Sequence, residues 1–61
     1  MDARWQVGRT LVELAELNLA QSNTDAALEH FTAALAEFEA LRAAPDRERT
    51  VAAMDAVGLA P

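Results

Sequence analysis

The chain has 61 residues, of which ten are acidic, five are basic, one is histidine and none is cysteine. A chain of this length forms at most one domain with a small core. Its net charge of −5 opposes binding to nucleic acid or anionic lipid. The lack of cysteine excludes disulfides and thiolate metal sites. Because no apolar run reaches the roughly 18 residues of a membrane span, and the first residues lack the apolar core of a signal peptide, we expect a soluble, cytoplasmic protein without a membrane partner.

The first predicted helix covers residues 4–20. Its apolar residues recur with helical spacing on one stripe, which consists of Val7, Leu11, Leu14, Ala15 and Leu19. Trp5 and Val12 lie at the edge of this stripe. Gly8 weakens the first turns by about 1 kcal/mol relative to alanine, which indicates either fraying or a close approach by another helix.

A polar segment, residues 21–25, separates the first helix from a second one over 24–43. Asn23 is the preferred cap of the second helix, and Asp25 suits its first turn. The period of this helix is close to 3.6, and its predicted core positions are Ala27, Leu28, Phe31, Ala34, Leu35, Phe38 and Leu41. The helix ends before Pro45, because proline lacks a backbone donor and restricts the residue that precedes it.

A third helix is predicted over 47–59, with Asp46 as its cap. Its bulky apolar residues are Val51, Met54 and Val57, and Gly58 favours fraying at its end. Together these elements predict an all-α fold. A single domain, residues 1–61, consists of an antiparallel helical hairpin followed by a third helix.

An internal repeat relates the first helix to the third, because a shift of 40 residues aligns residues 9–20 with residues 49–60. The identical pairs are Arg9 and Arg49, Thr10 and Thr50, Leu19 and Leu59, and Ala20 and Ala60. Twelve aligned positions in an alanine-rich chain also agree partly by chance. The repeat favours an interpretation in which the third helix begins a second, unfinished unit.

These residues resemble the tetratricopeptide repeat, whose pattern is W-x2-L-G-x2-Y, then A-x3-F, then P. Here the pattern runs Leu11-x2-Leu14-Ala15-x2-Asn18, then Ala27-x3-Phe31. The chain departs from the family where Leu11 stands for the tryptophan, Ala15 for the glycine and Asn18 for the tyrosine. Pro45 also comes about six residues late. The 40-residue spacing is similar to that of the longer repeats in bacterial regulators and kinesin light chains.

The resemblance implies a function in binding a protein or peptide. Tetratricopeptide repeats hold extended peptides or partner helices on the concave surface of their first helices. The matching positions in the first helix are Arg9, Val12, Glu16, Leu19 and Ala20. Those in the third helix are Arg49, Ala52, Ala56, Leu59 and Ala60. A groove that no longer binds a ligand is the alternative.

A second expectation concerns association between copies of the chain. Leu17 points away from the main stripe and has no preceding helix to cover it, which indicates an absent upstream repeat or self-association. A leucine that is simply exposed is the plain alternative. Trp5 either closes the core or anchors a partner. The predicted homodimer contact is the surface around Trp5, Val12 and Leu17.

Nothing in the sequence indicates catalysis, a metal or a cofactor. Ser22 and His30 are the only residues of their kinds, no acid is placed to complete a triad, and we interpret them as a turn residue and a partly buried structural histidine. The helical glutamates lack the Glu-x-x-His pattern of di-iron bundles. The preferred hypothesis is a non-catalytic interaction module, with homodimerisation as an additional mode. Part of a larger tetratricopeptide-containing regulator, and a small helical enzyme subunit or ligand carrier, remain open alternatives.

Overall fold

A computed structural model describes residues 3–59, which form three α-helices. Helix α1 spans Ala3–Ala20, α2 spans Thr24–Ala40 and α3 spans Ala44–Ala56. No strand occurs within residues 3–59. The prediction of an all-α unit with three helices is therefore confirmed.

Small residues on α1 allow α2 to approach closely. Gly8 and Ala15 are the buried residues of α1, and the ring of Phe38 lies so close to Gly8 that a Cβ atom there would be 2.6 Å from Phe38 Cε1. Gly8 thus serves a close helix contact, and α1 continues through it without interruption. Near the start of α1, Arg4 Nε lies 3.2 Å from Glu37 Oε2, an ion pair that lacks hydrogen-bond geometry.

Near the end of α1, Asn18 Oδ1 lies 2.6 Å from His30 Nδ1 in the early part of α2. The start of α1 therefore contacts the end of α2, and the end of α1 contacts the start of α2. This is the pairing expected of two helices that run antiparallel. His30 is half-buried in this contact, so its imidazole joins the two helices.

The core is centred on α2. Its fully buried residues are Ala15, Ala27, Phe31, Ala34, Phe38 and Met54. Four of these lie on the predicted face of α2, whereas the expectation that Leu28 is buried is wrong, because 39% of its surface is exposed.

The predicted apolar stripe of α1 is only partly buried. Val7 and Leu14 are 46% and 39% exposed, although the sequence pattern placed both in the core. Each residue precedes a contact residue, Gly8 or Ala15, by one position, which rotates it about 100° away from α2. Only α2 covers α1 closely, so the rest of the stripe remains in solvent.

The first interhelical turn forms as predicted, with Asn23 as the cap. Asn23 Oδ1 accepts a hydrogen bond of 3.4 Å from the backbone N–H of Ala26. Ser22 has a φ of 60°, and the N–H of Asn23 donates to the carbonyl of Asn18 at 2.7 Å. This bond satisfies a free carbonyl at the end of α1, as left-handed helix ends commonly do.

The second turn comes earlier than predicted. Helix α2 ends at Ala40, because Arg42 adopts a φ of 55° and the N–H of Ala43 donates to the carbonyl of Phe38 at 2.9 Å. Helix α3 then begins at Ala44, with Pro45 in its first turn. Proline is tolerated there because the first N–H groups of a helix have no partner within the helix. The predicted boundaries at residues 43 and 47 are therefore wrong.

Asp46 does not cap α3, contrary to prediction. The cap position is Ala43, which offers no side-chain acceptor, and Asp46 lies inside the first turn, where a carboxylate favours the helix dipole. The end of α3 also differs from the prediction of residue 59. Gly58 has a φ of 77°, and the N–H of Leu59 donates to the carbonyl of Met54 at 2.7 Å, which ends the helix at Ala56.

The helix boundaries show that the sequence repeat is only partly matched in the structure. Leu19 lies within α1, whereas its aligned counterpart Leu59 lies beyond the end of α3, so this pair of identical residues differs in local structure. Both side chains still pack partly buried against the core. Ala60, the last aligned residue, lies outside the described residues.

Helix α3 packs on α2 through Thr50 and Met54, its two buried residues. Thr50 Oγ1 also donates to the carbonyl of Asp46 at 2.9 Å. The link to α1 is made by Trp5, whose Nε1 donates to Asp46 Oδ2 at 3.0 Å. Trp5 is 41% exposed, so it bridges α1 and α3 at the surface and does not close the core.

Candidate functional site

A cleft of about 180 Å³ lies between α1 and α3, with α2 beneath it. Its lining residues are Arg9, Val12, Glu16, Phe38, Asp46, Arg49, Thr50 and Ala53. Phe38 and Val12 provide apolar surface, whereas charged side chains stand at the rim. Four of the residues implied by the family resemblance, namely Arg9, Val12, Glu16 and Arg49, are thus brought together in one cleft.

The charges of the cleft are separated along its length. Trp5 binds Asp46 near the starts of α1 and α3, so Arg9 and Arg49 belong to the same end of the cleft. Glu16 lies seven residues after Arg9, and the rise of an α-helix places it roughly 10 Å further along α1. One end of the cleft is therefore rich in arginine and the other end carries a carboxylate.

The acid at the arginine end is already engaged within the chain. Asp46 accepts the indole N–H of Trp5, and its other oxygen lies 3.9 Å from the guanidinium of Arg49. The guanidinium of Arg9 stacks over the Trp5 ring, 5.3 Å from the ring centroid. A guanidinium has five N–H donors, so both arginines keep donors for a ligand while these contacts are made.

The other residues implied by the resemblance that fall within residues 3–59 do not line the cleft. Leu19 and Leu59 pack partly buried against the core, and Ala20, Ala52 and Ala56 are exposed elsewhere. Three further residues of α3 line the cleft but were not predicted as binding residues, namely Asp46, Thr50 and Ala53. Together with Arg49 they follow the spacing of one helical face. Asp46 lies before residue 47, where the predicted helix began. Thr50 and Ala53 lie within that predicted helix, but the 40-residue repeat placed the binding face at Ala52 and Ala56 instead.

The residues predicted for self-association do not form one surface. Val12 packs against the core and lines the cleft, and Trp5 binds Asp46. Leu17 is 52% exposed and lies about 140° from Val12 around the helix. Leu17 instead shares an outer face of α1 with the exposed Val7 and Leu14.

Ser22 and His30, the residues considered for catalysis in the sequence, do not line the cleft. Ser22 is in the left-handed turn after α1, and His30 is hydrogen-bonded to Asn18. Within residues 3–59, no group of three or more histidine or acidic side chains is arranged to hold a metal ion. None of the helices in this range is both long enough and apolar enough to cross a bilayer.

Comparison with known proteins gives no relative: no family model matches the sequence, and neither the curated proteins nor the solved structures include a match. The geometry of the cleft is therefore the basis for a functional hypothesis.

Proposed function

We propose that this chain is a non-catalytic interaction module, similar to a tetratricopeptide unit, that binds a protein or peptide in the cleft between α1 and α3. The observation that carries the proposal is the convergence of Arg9, Val12, Glu16 and Arg49 around an apolar floor. Apolar surface supplies binding free energy, and the few polar groups at its rim give orientation and specificity.

The proposal also draws support from how α3 is held. The bond between Trp5 and Asp46 joins α1 to α3 at one end of the cleft, and Met54 anchors α3 in the core. A cleft whose two walls are fixed in this way loses little conformational entropy when a ligand binds.

The test uses the whole chain and a random peptide library displayed on phage. Binding of the selected peptides is measured by isothermal titration calorimetry. Ala53→Leu fills the cleft and should weaken binding by roughly tenfold or more. Ala52→Leu is the matched control, since Ala52 is the exposed neighbour of Ala53 and does not line the cleft. Peptides that bind both variants as tightly as the unmodified chain would refute the proposal.

Self-association is a second proposal, supported by the exposed apolar face of α1. Val7, Leu14 and Leu17 are exposed on this face, and together with Thr10 they follow the three-and-four spacing of helices that pack side by side. A second copy would cover these side chains in a homodimer. A domain of this length gains stability from such association.

A further inference from the structure

We infer that the cleft selects an extended peptide segment in which an acidic and a basic side chain lie four residues apart with one apolar side chain midway between them. This inference rests on the proposed function and specifies its ligand. It follows from the volume of the cleft and from the order of charges along it.

The volume of the cleft determines how many apolar side chains of the ligand it can hold. The cleft holds about 180 Å³, whereas an enclosed apolar cavity of roughly 150 Å³ accommodates a benzene molecule. The space between Val12, Phe38 and Ala53 therefore fits one leucine-sized or phenylalanine-sized side chain. An extended strand is about 5 Å wide, whereas an α-helix with its side chains is about 10 to 12 Å across, so an extended segment brings that one side chain between α1 and α3 with less displacement of their side chains.

The charged residues of the cleft determine where the acidic and basic side chains lie along the ligand. Arg49 is 76% exposed at its side chain and only loosely paired with Asp46, so its guanidinium is accessible to a carboxylate of the ligand. Glu16 is exposed at the opposite end and has the charge to pair with a basic side chain. Glu16 lies roughly 10 Å along α1 from Arg9, which is at the same end of the cleft as Arg49, so the ligand must span at least three residues of an extended chain at about 3.3 Å per residue. Because the side chains of an extended chain alternate between two faces, two side chains that both face the cleft are an even number of residues apart, which gives a spacing of four.

The peptide can lie in either chain direction, because only the side chains are matched. The geometry does, however, predict that a peptide with two charges of the same sign binds more weakly than a peptide with one acid and one base. A second acid would face Glu16, and a second base would face Arg9 and Arg49. Juxtaposition of like charges disfavours a partner, which is how electrostatics gives specificity.

The experiment compares three capped peptides by isothermal titration calorimetry against the whole chain. Their central residues are Asp-Ala-Leu-Ala-Lys, Asp-Ala-Leu-Ala-Asp and Lys-Ala-Leu-Ala-Lys. The first peptide should bind roughly fivefold more tightly than either of the others, the size expected for one exposed charge pair. Replacing its leucine with glycine should abolish measurable binding, because the apolar side chain is then missing.

A charge-reversal variant makes the test specific to the cleft. Glu16→Arg should transfer the preference to the doubly acidic peptide. Glu13→Arg is the matched control: it makes the same charge change on the same helix at an exposed residue outside the cleft, and it should leave the preference unchanged. Circular dichroism checks that both variants remain helical.

The outcomes separate this inference from the proposed function. If all three peptides bind equally and Ala53→Leu still blocks them, the cleft binds peptides but the inferred charge order is wrong. If none of the three binds while library peptides do so in the cleft, the ligand class is wrong. If Ala53→Leu has no effect on any peptide, both the inference and the proposed function fail.

Discussion

Substitution of Gly8 by alanine sets helix propensity against packing. The new Cβ atom would lie 2.6 Å from Phe38 Cε1 and 2.9 Å from Phe38 Cζ, well inside van der Waals contact. Phe38 is only 1% exposed, so its neighbours hold the ring in place and leave it room to move only toward the cleft that it lines. The substitution therefore forces either the ring or the α1–α2 spacing to change.

The two effects have opposite signs and comparable size. Alanine in place of an interior helical glycine stabilises a helix by about 0.5 to 1 kcal/mol. Overpacking a well-filled core costs about 1 to 3 kcal/mol. We expect Gly8→Ala to lower the free energy of unfolding by about 1 kcal/mol, a large share of the roughly 3 to 5 kcal/mol available to a chain of this size. The corresponding fall in Tm is about 4 to 8 °C.

The measurement is thermal and urea unfolding followed by far-UV circular dichroism. Thr10→Ala is the control, because Thr10 is an exposed residue of the same helix and its replacement gains helix propensity without a clash. In combination with Phe38→Leu, which shortens the opposing side chain, Gly8→Ala should cost less than it does alone. A higher Tm for Gly8→Ala in the otherwise unmodified chain would refute the packing argument.

Three further predictions test the cap, the link between α1 and α3, and the outer face of α1. Asn23→Ala should lower the free energy of unfolding by about 1 kcal/mol, because α2 loses its cap acceptor. Asn23→Asp keeps a side-chain acceptor and should therefore keep most of the stability of the unmodified chain. Equal urea midpoints for the two variants would contradict this. Trp5→Phe keeps an aromatic ring but loses the bond to Asp46, so hydrogen exchange should accelerate in α3 more than in α2, and uniform acceleration would argue against a local link. Leu17→Glu should abolish any concentration-dependent increase in sedimentation coefficient, whereas Leu28→Glu on α2 should not; a chain that sediments as a monomer at every concentration would refute self-association.

Local chemistry explains which helix boundaries the sequence predicted. The cap at Asn23 depends on a side chain and a backbone N–H three residues away, so a short stretch of sequence contains all the information. The prediction failed around Pro45, because proline is compatible both with the end of one helix and with the first turn of the next. The left-handed Arg42 has no local signal, since arginine rarely adopts a positive φ.

The cleft contains more of the predicted binding residues of α1 than of α3. Arg9, Val12 and Glu16 follow from the resemblance to the tetratricopeptide repeat, and all three line the cleft. Leu19 and Ala20, from the same predicted set, do not line it. On α3, Asp46 was missed because the predicted helix began after it. Thr50 and Ala53 lay inside the predicted helix and were missed because the 40-residue repeat placed the binding face at Arg49, Ala52 and Ala56. The rotation of α3 about its axis depends on Thr50 and Met54 packing against α2, and periodicity alone does not reveal which neighbour a helix will meet.

The sequence by itself determined the number of helices and the capped turn at Asn23, because these depend on contacts between residues close in the chain. It also indicated most of the buried face of α2, because the apolar residues of this helix recur with its period. The tertiary structure decided that Val7 and Leu14 are exposed, that Phe38 covers Gly8, and that Trp5 reaches Asp46 across 41 positions. Burial requires a second surface, and a helix with one close neighbour leaves part of its apolar stripe in water. The cleft exists only because α2 holds α1 and α3 beside each other, an arrangement that no single segment specifies.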